Sequence, residues 1–460
     1  MEPLAQSKMI PKRKGFSGLT PTRIIIFGYL AIILIGALLL CLPVSSRART
    51  WTDLLTAVFT ATSATCVTGL IVVNTAAHWS LFGQLVILAL IQVGGMGFLT
   101  MAVLISMAAK KRIGLRQRFT MQESISAPTL GGIVRLTSFI FKGVLLIEGA
   151  GALILALRFI PLLNGWKGVY YAVFHSVSAF CNAGFDLFGT FEGSGSLTYF
   201  AEDPIVNITC AALILVGGLG FFVWEDLYKK RFTWKKYLLQ TKLVLIMLAV
   251  LVVVPTALLW IFERDGAAFA GLSGGGKLLA AFFQACTART AGFNTVDLSM
   301  LSQAGKMIMI LLMLIGGNSG STAGGMKTTT VALLFLTVVS TIRRDNEISA
   351  FGRRVEEKAL RDAVTIITIY ISLAVAGAVF VSAYEGVPMI AALFETSSAV
   401  ATVGLTLNLT PVLSIPSKLL IIALMYFGRV GCLTMIYALG DRGLSKAALS
   451  MNPLEHIAVG

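Results

Sequence analysis

Eight long apolar runs set the limits on what this chain can become. They lie at residues 24–42, 81–108, 136–162, 204–223, 243–262, 307–339, 363–383 and 418–439. A helix needs about 20 predominantly apolar residues to cross the hydrocarbon core of a bilayer. Charged residues make up 13% of the 460 positions, about half their share in a soluble domain. What remains between the runs is too short for a soluble domain of ordinary size. The pattern implies an all-α, multi-pass protein embedded in a lipid bilayer.

The formal net charge of +15 raises nucleic acid as a partner, and the placement of the cations excludes it. Lys8, Lys12, Arg13, Lys14 and Arg23 precede the first run. Lys110, Lys111, Arg112, Arg116 and Arg118 follow the second, and Lys229, Lys230, Arg231, Lys235 and Lys236 follow the fourth. Arg343, Arg344, Arg353, Arg354, Lys358 and Arg361 follow the sixth. Glu192, Glu202, Asp203, Glu263 and Asp265 fall in the alternate loops. Short loops rich in Lys and Arg remain cytoplasmic, so both termini and the three basic loops are expected inside. No cleavable signal peptide is expected, because residues 1–23 are polar and basic and the first run is long enough to span. Six cysteines (Cys41, Cys66, Cys181, Cys210, Cys286, Cys432) form no CxxC pair, and His78, His175 and His456 form no metal spacing; neither zinc nor a disulfide framework is implied.

Within each pair of runs lies a stretch too short to cross, at residues 51–64, 168–179, 276–287 and 387–400. Each ends in small residues and a glycine. The four endings are Thr65, Cys66, Val67, Thr68 and Gly69; Cys181, Asn182, Ala183 and Gly184; Thr290, Ala291 and Gly292; and Thr402, Val403 and Gly404. The glycines are 115, 108 and 112 residues apart. A fixed period with one basic loop per turn indicates tandem duplication, with divisions at 1–23, 24–118, 119–236, 237–358 and 359–460. All four units enter and leave in the same sense, so they are parallel repeats enclosing a central path. Non-helical backbone at membrane depth is tolerated where it lines such a path. A selectivity filter turns successive carbonyls toward one axis in place of an ion's hydration shell, and glycine reaches the necessary backbone angles at little steric cost. A single glycine of this kind reads as an ordinary helix end; four at near-equal spacing read as an ion-selectivity filter.

The second run of each pair carries glycines 25, 33, 24 and 24 residues after these positions, at Gly94, Gly217, Gly316 and Gly428. In the first two copies they read as close helix packing through small residues. The third copy continues as Gly316, Gly317, Asn318, Ser319, Gly320, Ser321, Thr322, Ala323, Gly324, Gly325, Met326 and Lys327. That composition makes a poor helix in the middle of a span, so it reads as a gate beneath the filter. Gly325, Met326, Lys327 and Thr328 also resemble the end of a phosphate-binding loop, but the strand and soluble nucleotide fold that motif needs are missing. Arg429 lies mid-span in the last run, where a charge faces a cavity or partner, and reads as part of the gate; the alternative is a packing Arg paired with a carboxylate. Lys142 with Glu148 reads as an internal pair, and Arg289 with Asp297 as a brace for the third loop.

With these residues in hand, the chain resembles the superfamily of Trk, Ktr and HKT potassium transporters over nearly its whole length, through the four glycine segments, residues 316–327 and Arg429. Only 23 residues precede the first run, so the closer resemblance is to KtrB-type membrane subunits of bacterial Ktr systems. The resemblance implies a homodimer with one pore per subunit in the bacterial cell membrane. It also implies potassium uptake with sodium as a coupling or activating ion, no covalent cofactor, and control by a cytoplasmic ring of nucleotide-binding, KtrA-like regulatory subunits. Such a ring could dock on the basic loops. Relatives with serine at the first filter glycine lean toward sodium; Gly69 favours potassium. An alternating-access, sodium-coupled cation symporter is the rival reading and would require inverted repeats. An intramembrane enzyme would require a nucleophile–base pair or metal cluster, and the sequence offers neither.

Overall fold

A computed structural model describes residues 20–440 except 98, 99, 102, 105–132, 190, 192–194, 232 and 346. The basic residues at 8–14 and 110–118, Glu192 and His456 lie outside the described residues.

An outer helix, a short helix and a returning helix recur in four units; the first adds a four-residue helix before its returning helix, and the other three add a further helix after theirs. The first unit comprises α1 (Pro21–Cys41), α2 (Leu54–Thr65), α3 (Thr75–His78) and α4 (Leu81–Met96). The second comprises α5 (Ile133–Leu163), α6 (Trp166–Phe180), α7 (Pro204–Gly218) and α8 (Phe221–Lys230). The third comprises α9 (Leu239–Glu263), α10 (Gly274–Thr287), α11 (Gln303–Leu314) and α12 (Thr328–Arg343). The fourth comprises α13 (Glu357–Glu385), α14 (Met389–Val400), α15 (Ile415–Val430) and α16 (Cys432–Gly440). A two-stranded antiparallel hairpin, Ser349–Ala350 with Arg353–Arg354, lies between α12 and α13.

The outer helices α1, α5, α9 and α13 are the continuous spans, long and apolar enough to cross a membrane. Their apolar side chains face outward: Leu38, Leu146, Val253 and Val379 are all exposed. So broad an apolar exterior is the surface a lipid solvent covers. Each outer helix packs on the short helix that follows it. The short helices α2, α6, α10 and α14 are the buried centre, and in α14 every residue from Phe394 to Val400 is buried. Serine or aspartate side chains start several helices: Asp53 accepts from Thr56 N, Ser273 from Gly276 N and Ser302 from Gly305 N. Each satisfies a backbone donor that a helix start leaves unpaired.

The runs read from sequence as single second spans are all broken. The break expected at 316–327 is present, between α11 and α12, and the other three units break at the corresponding place. α4 stops before Gly97 (φ 80°), and α15 before Gly431 (φ 89°). α7 and α8 meet at 93° around Gly220 (φ 93°). The returning helix must come close to the end of the short helix, and the glycines permit it. A Cβ on Gly94, Gly217 or Gly428 would stand 2.1, 2.0 or 2.1 Å from the carbonyl oxygens of Thr65, Phe180 and Val400. The packing expected of Gly94 and Gly217 is therefore present, against the last turns of α2 and α6.

The expected Lys142–Glu148 pair does not form. Six residues of helix place the two side chains about 120° apart around the axis. Lys142 is exposed, and Glu148 is buried against α4 and α6.

Candidate ion-conduction site

The glycine segments follow the short helices as four versions of one backbone turn. Two residues before each glycine the chain is left-handed: Val67 (φ 57°), Asn182 (φ 58°), Thr290 (φ 70°) and Thr402 (φ 53°). The glycines follow with φ of 92°, 69°, 84° and 95° at Gly69, Gly184, Gly292 and Gly404. Left-handed backbone at a non-glycine costs about 1–2 kcal/mol, so the surroundings must impose it. The residue between the two donates its N–H back to the short helix. Thr68 N, Ala183 N and Val403 N reach Ser63 O, Ser178 O and Ser398 O at 2.8 Å, and Ala291 N reaches Thr287 O at 2.9 Å. Ser63 Oγ and Ser398 Oγ also accept from Gly69 N and Gly404 N at 3.0 Å.

The four turns close into a ring. A Cβ on Gly69 would stand 2.4 Å from Ala183 O, on Gly184 2.6 Å from Ala291 O, on Gly292 2.6 Å from Val403 O, and on Gly404 2.1 Å from Thr68 O. Each unit's glycine thus faces the carbonyl of the next unit, and the fourth returns to the first. The sequence-derived residues from Thr65 to Gly69, Cys181 to Gly184, Thr290 to Gly292 and Thr402 to Gly404 are all buried together here.

Residues 316–327 lie against one end of this ring. They form a hydrogen-bonded structure, not a loose tether. Gly316 N donates to Met326 O (2.8 Å) and Thr328 N to Gly317 O (3.1 Å), closing a neck. The tip is tied to the second unit. Asn318 N donates to Gly218 O (3.0 Å), Thr322 N to Gly217 O (3.3 Å), Thr322 Oγ1 to Phe180 O (3.2 Å) and Phe221 N to Gly320 O (2.7 Å). A Cβ on Gly324 would meet Thr402 Oγ1, and one on Gly325 would stand 2.9 Å from Ala401 O. Arg429, in the last turn of α15, donates from Nη1 to Thr322 O at 2.6 Å and from Nη2 to Gly94 O. It joins the loop to the first and fourth units, and no carboxylate pairs with it among the described residues. Lys327 Nζ folds back on Ala323 O at 2.9 Å. A cavity of ≈ 290 Å³ bordered by Tyr29, Gly97, Lys327, Tyr370 and Arg429 opens below the loop. A second, of ≈ 430 Å³, lies where the chain leaves the ring, beside Gly292, Asn294, Gly404 and Thr406.

The expected Arg289–Asp297 brace is not formed. Asp297 is exposed and gives its carboxylate to Ser299 N (2.9 Å) and Ser299 Oγ (2.7 Å), capping the turn after it. Arg289 is buried with its Nε unpartnered. Sequence reasoning missed a different set of braces. His175 Nε2 accepts from Leu187 N (3.3 Å), Gln284 Nε2 donates to Thr295 Oγ1 (3.3 Å), and Glu395 accepts from Thr406 Oγ1 (2.8 Å) and Thr410 Oγ1. Each ties a short helix to the segment leaving the ring. Their signal was available: they fall 9, 8 and 9 residues before Gly184, Gly292 and Gly404.

Four short buried helices, each ending in a turn of a common carbonyl ring beneath lipid-facing spans, define a multi-pass membrane protein with re-entrant loops. Comparison with known proteins agrees. The family model for TrkH, cation transport protein, matches residues 19–440. The potassium/sodium uptake protein NtpJ of Enterococcus hirae is 38% identical, covering 98% of this chain and 100% of its own. Ktr system potassium uptake protein B is 38% identical in Bacillus subtilis (91% and 93% covered) and 39% in Vibrio alginolyticus (93% of each). The crystal structure of the potassium transporter TrkH from Vibrio parahaemolyticus shares the fold, with a TM-score of 0.73 at 18% identity over 93% of this chain and 86% of that one. The chain belongs to the TrkH family of cation transport proteins, as a KtrB-type Trk/Ktr subunit.

Proposed function

We propose that this protein takes up potassium through the carbonyl ring, which acts as a selectivity filter, with residues 316–327 and Arg429 as the gate below it. The observation that carries the reading is the cyclic approach of Gly69, Gly184, Gly292 and Gly404 to the carbonyls of Ala183, Ala291, Val403 and Thr68. Oxygens held rigidly around one axis replace the hydration shell of a weakly hydrated cation. The names of the Bacillus and Vibrio relatives support potassium as the ion, and the Enterococcus name supports sodium as a further transported or activating ion.

Conduction needs no bond-making step in this reading. The ion is desolvated at the ring, held by Thr65–Gly69 and its three counterparts, and released below. The loop then blocks its path, and Arg429 adds a positive charge at the same depth, raising the barrier to a cation while the loop is bound. Opening requires the contacts of Thr322 to Gly217, Phe180 and Arg429 to part together. The Ktr names of the relatives support a multi-subunit system, and we place a nucleotide-binding regulatory ring on the cytoplasmic side and a second copy of this chain beside the first. The four units, divided at residues 24, 119, 237 and 359, lie in a bacterial plasma membrane with both termini inside.

Uptake at micromolar external potassium, in a bacterial strain lacking its own potassium uptake systems, tests the reading. Growth and ion uptake restored by the wild-type chain and lost with Gly404→Ala support it. A well-expressed wild-type chain that moves no potassium overturns it.

A further inference from the structure

Glu148 lies at the midpoint of α5, fifteen residues from either end. It is only 6% exposed. A carboxyl group at such a depth is costly unless partnered, and no Lys or Arg pairs with it among the described residues. Its partners are an amide and a thiol. Gln92 Nε2, on α4, donates to Glu148 Oε2 at 3.2 Å. Cys181 Sγ lies 3.5 Å from Gln92 Oε1 and 3.8 Å from Glu148 Oε1, as donor to both. Ser176 Oγ, on α6, donates to Glu148 O at 2.6 Å and fixes the same turn of α5. Gly95 makes room for the thiol, since a Cβ there would stand 2.7 Å from Cys181 Sγ.

Cys181 is the first residue after α6 and stands three before Gly184. The next residue, Asn182, is left-handed, and Ala183 presents the carbonyl that faces Gly69. Loops one and four fix their glycine N–H groups with Ser63 Oγ and Ser398 Oγ. In loop two the corresponding hydroxyl, Ser178 Oγ, instead donates to Phe185 O at 2.7 Å. The second loop therefore lacks that anchor and has the thiol contact in its place. At the matching positions the other loops carry Cys66, Arg289 and Ala401, none hydrogen-bonded to a carboxylate side chain among the described residues.

We infer that Glu148, acting through Gln92 and the Cys181 thiol, is a positioning residue that sets the place of the Ala183 carbonyl and so helps determine which cation the second loop accepts. The inference rests on the potassium-uptake reading above and adds to it a residue outside the ring. Filter carbonyls stand in for an ion's hydration shell, so a carbonyl that leaves its place changes what the second loop offers the ion, and the left-handed Asn182 would relax if the residue before it were released.

The test compares Glu148→Ala, Glu148→Gln and Cys181→Ala in the full-length protein. Glu148→Ala is expected to lower the preference for potassium over sodium by roughly three- to tenfold, the effect of one lost neutral hydrogen bond. The half-saturation constant for potassium should rise while the maximal rate holds. Glu148→Gln keeps an acceptor for the thiol and should recover most of the preference. A membrane-permeant maleimide, read by mass spectrometry of the Cys181 peptide in purified protein, should label Glu148→Ala faster than wild type or Glu148→Gln. Glu148→Ala protein with wild-type preference and wild-type Cys181 protection overturns the inference. If that variant does not assemble, Cys181→Ala decides: a reduced preference supports the brace, and an unchanged one refutes it. Should wild type move no potassium, the uptake reading falls, while labelling still reports whether Glu148 holds Cys181.

Discussion

The carboxylate of Glu263, the last residue of α9, accepts hydrogen bonds from the backbone N–H (3.1 Å) and the hydroxyl (2.5 Å) of Ser302, the N-cap of α11. Ser302 Oγ in turn accepts from Gly305 N at 3.0 Å. Glu385 and Ser414 repeat the arrangement between α13 and α15, with Ser414 N 3.0 Å from the carboxylate. In both units the outer helix ends by capping the start of the returning helix. Glu263 is fully buried whereas Ser302 is exposed, so Glu263→Ala frees donors that water can reach and removes hydrogen bonds worth about 0.5–1.5 kcal/mol each. The thermal midpoint in detergent should drop clearly for Glu263→Ala and less for Glu385→Ala, whose carboxylate is partly exposed. Equal midpoints for Glu263→Ala and wild type would refute the clasp.

Much of this architecture was legible from residues 24–42 onward because lipid imposes length and apolarity on every span. The four glycines were legible for a related reason: a repeated backbone demand leaves a repeated residue. Contacts between units were not. Glu148 had an obvious cation nearby in sequence, Lys142, and none in space, because helix periodicity turned that side chain away. Asp297 likewise had Arg289 within reach along the chain but serves its own turn. The breaks at Gly97, Gly220 and Gly431 were hidden because the glycine clusters at 94–97, 217–220 and 428–431 fit close helix packing as well as a break, and glycine barely changes the hydropathy of an apolar run. The order of residues 316–327 was hidden too, since glycine and serine content reports poor helix formation and says nothing of the carbonyls at Gly217, Gly218 and Phe180 waiting as acceptors.

The second unit reaches the third through Glu202, whose Oε1 accepts from Ser273 N at 2.6 Å beside the start of α10. The hydrogen bond from Ser273 holds the Glu202 carboxyl below its ordinary range. A depressed folded-state pKa contributes stability that is present above the unfolded value, about 4.3 for glutamate, and lost as pH falls through the folded value. The thermal midpoint should therefore be insensitive to this group from pH 8 to about 5 and decline below about 4. Glu202→Gln should decline less steeply over that acid interval. Identical acid profiles for the two proteins would exclude the contact.

Gly69 combines φ of 92° with an approach of 2.4 Å between a built Cβ and Ala183 O. Gly69→Ser must either displace the Ala183 carbonyl or leave the left-handed region, and its hydroxyl competes for the ion. Competition uptake should show potassium preference over sodium reduced by roughly tenfold or more, the effect of about 1.4 kcal/mol between the two ions. A well-expressed mutant with unchanged preference would reject the filter assignment.

Arg429 stands outside the ring and holds Thr322 O and Gly94 O. Arg429→Gln removes the positive charge and weakens the tie between the loop and the first and fourth units. Transport rate should rise while the potassium-to-sodium preference stays within about twofold of wild type, because barrier height changes and coordination does not. Normal rates in Arg429→Gln would leave Arg429 a purely structural residue.

Deleting residues 318–325 should raise flux furthest. The neck makes the deletion structurally reasonable: Gly316 N with Met326 O, Thr328 N with Gly317 O, and Thr328 Oγ1 with Gly316 O hold its two sides together without the tip. What the deletion removes is the set of contacts to Gly217, Gly218, Phe180, Phe221 and Arg429, together with the mass lying against Thr402 and Ala401. If the closed arrangement dominates at rest, abolishing it should increase flux by roughly tenfold or more, and the response to any cytoplasmic regulator should shrink in proportion. The competing account is a passive helix break whose loss only destabilises the protein. Flux and thermal midpoint measured on the same preparation separate them: a deletion mutant that folds like wild type yet conducts no faster would show that the loop does not gate.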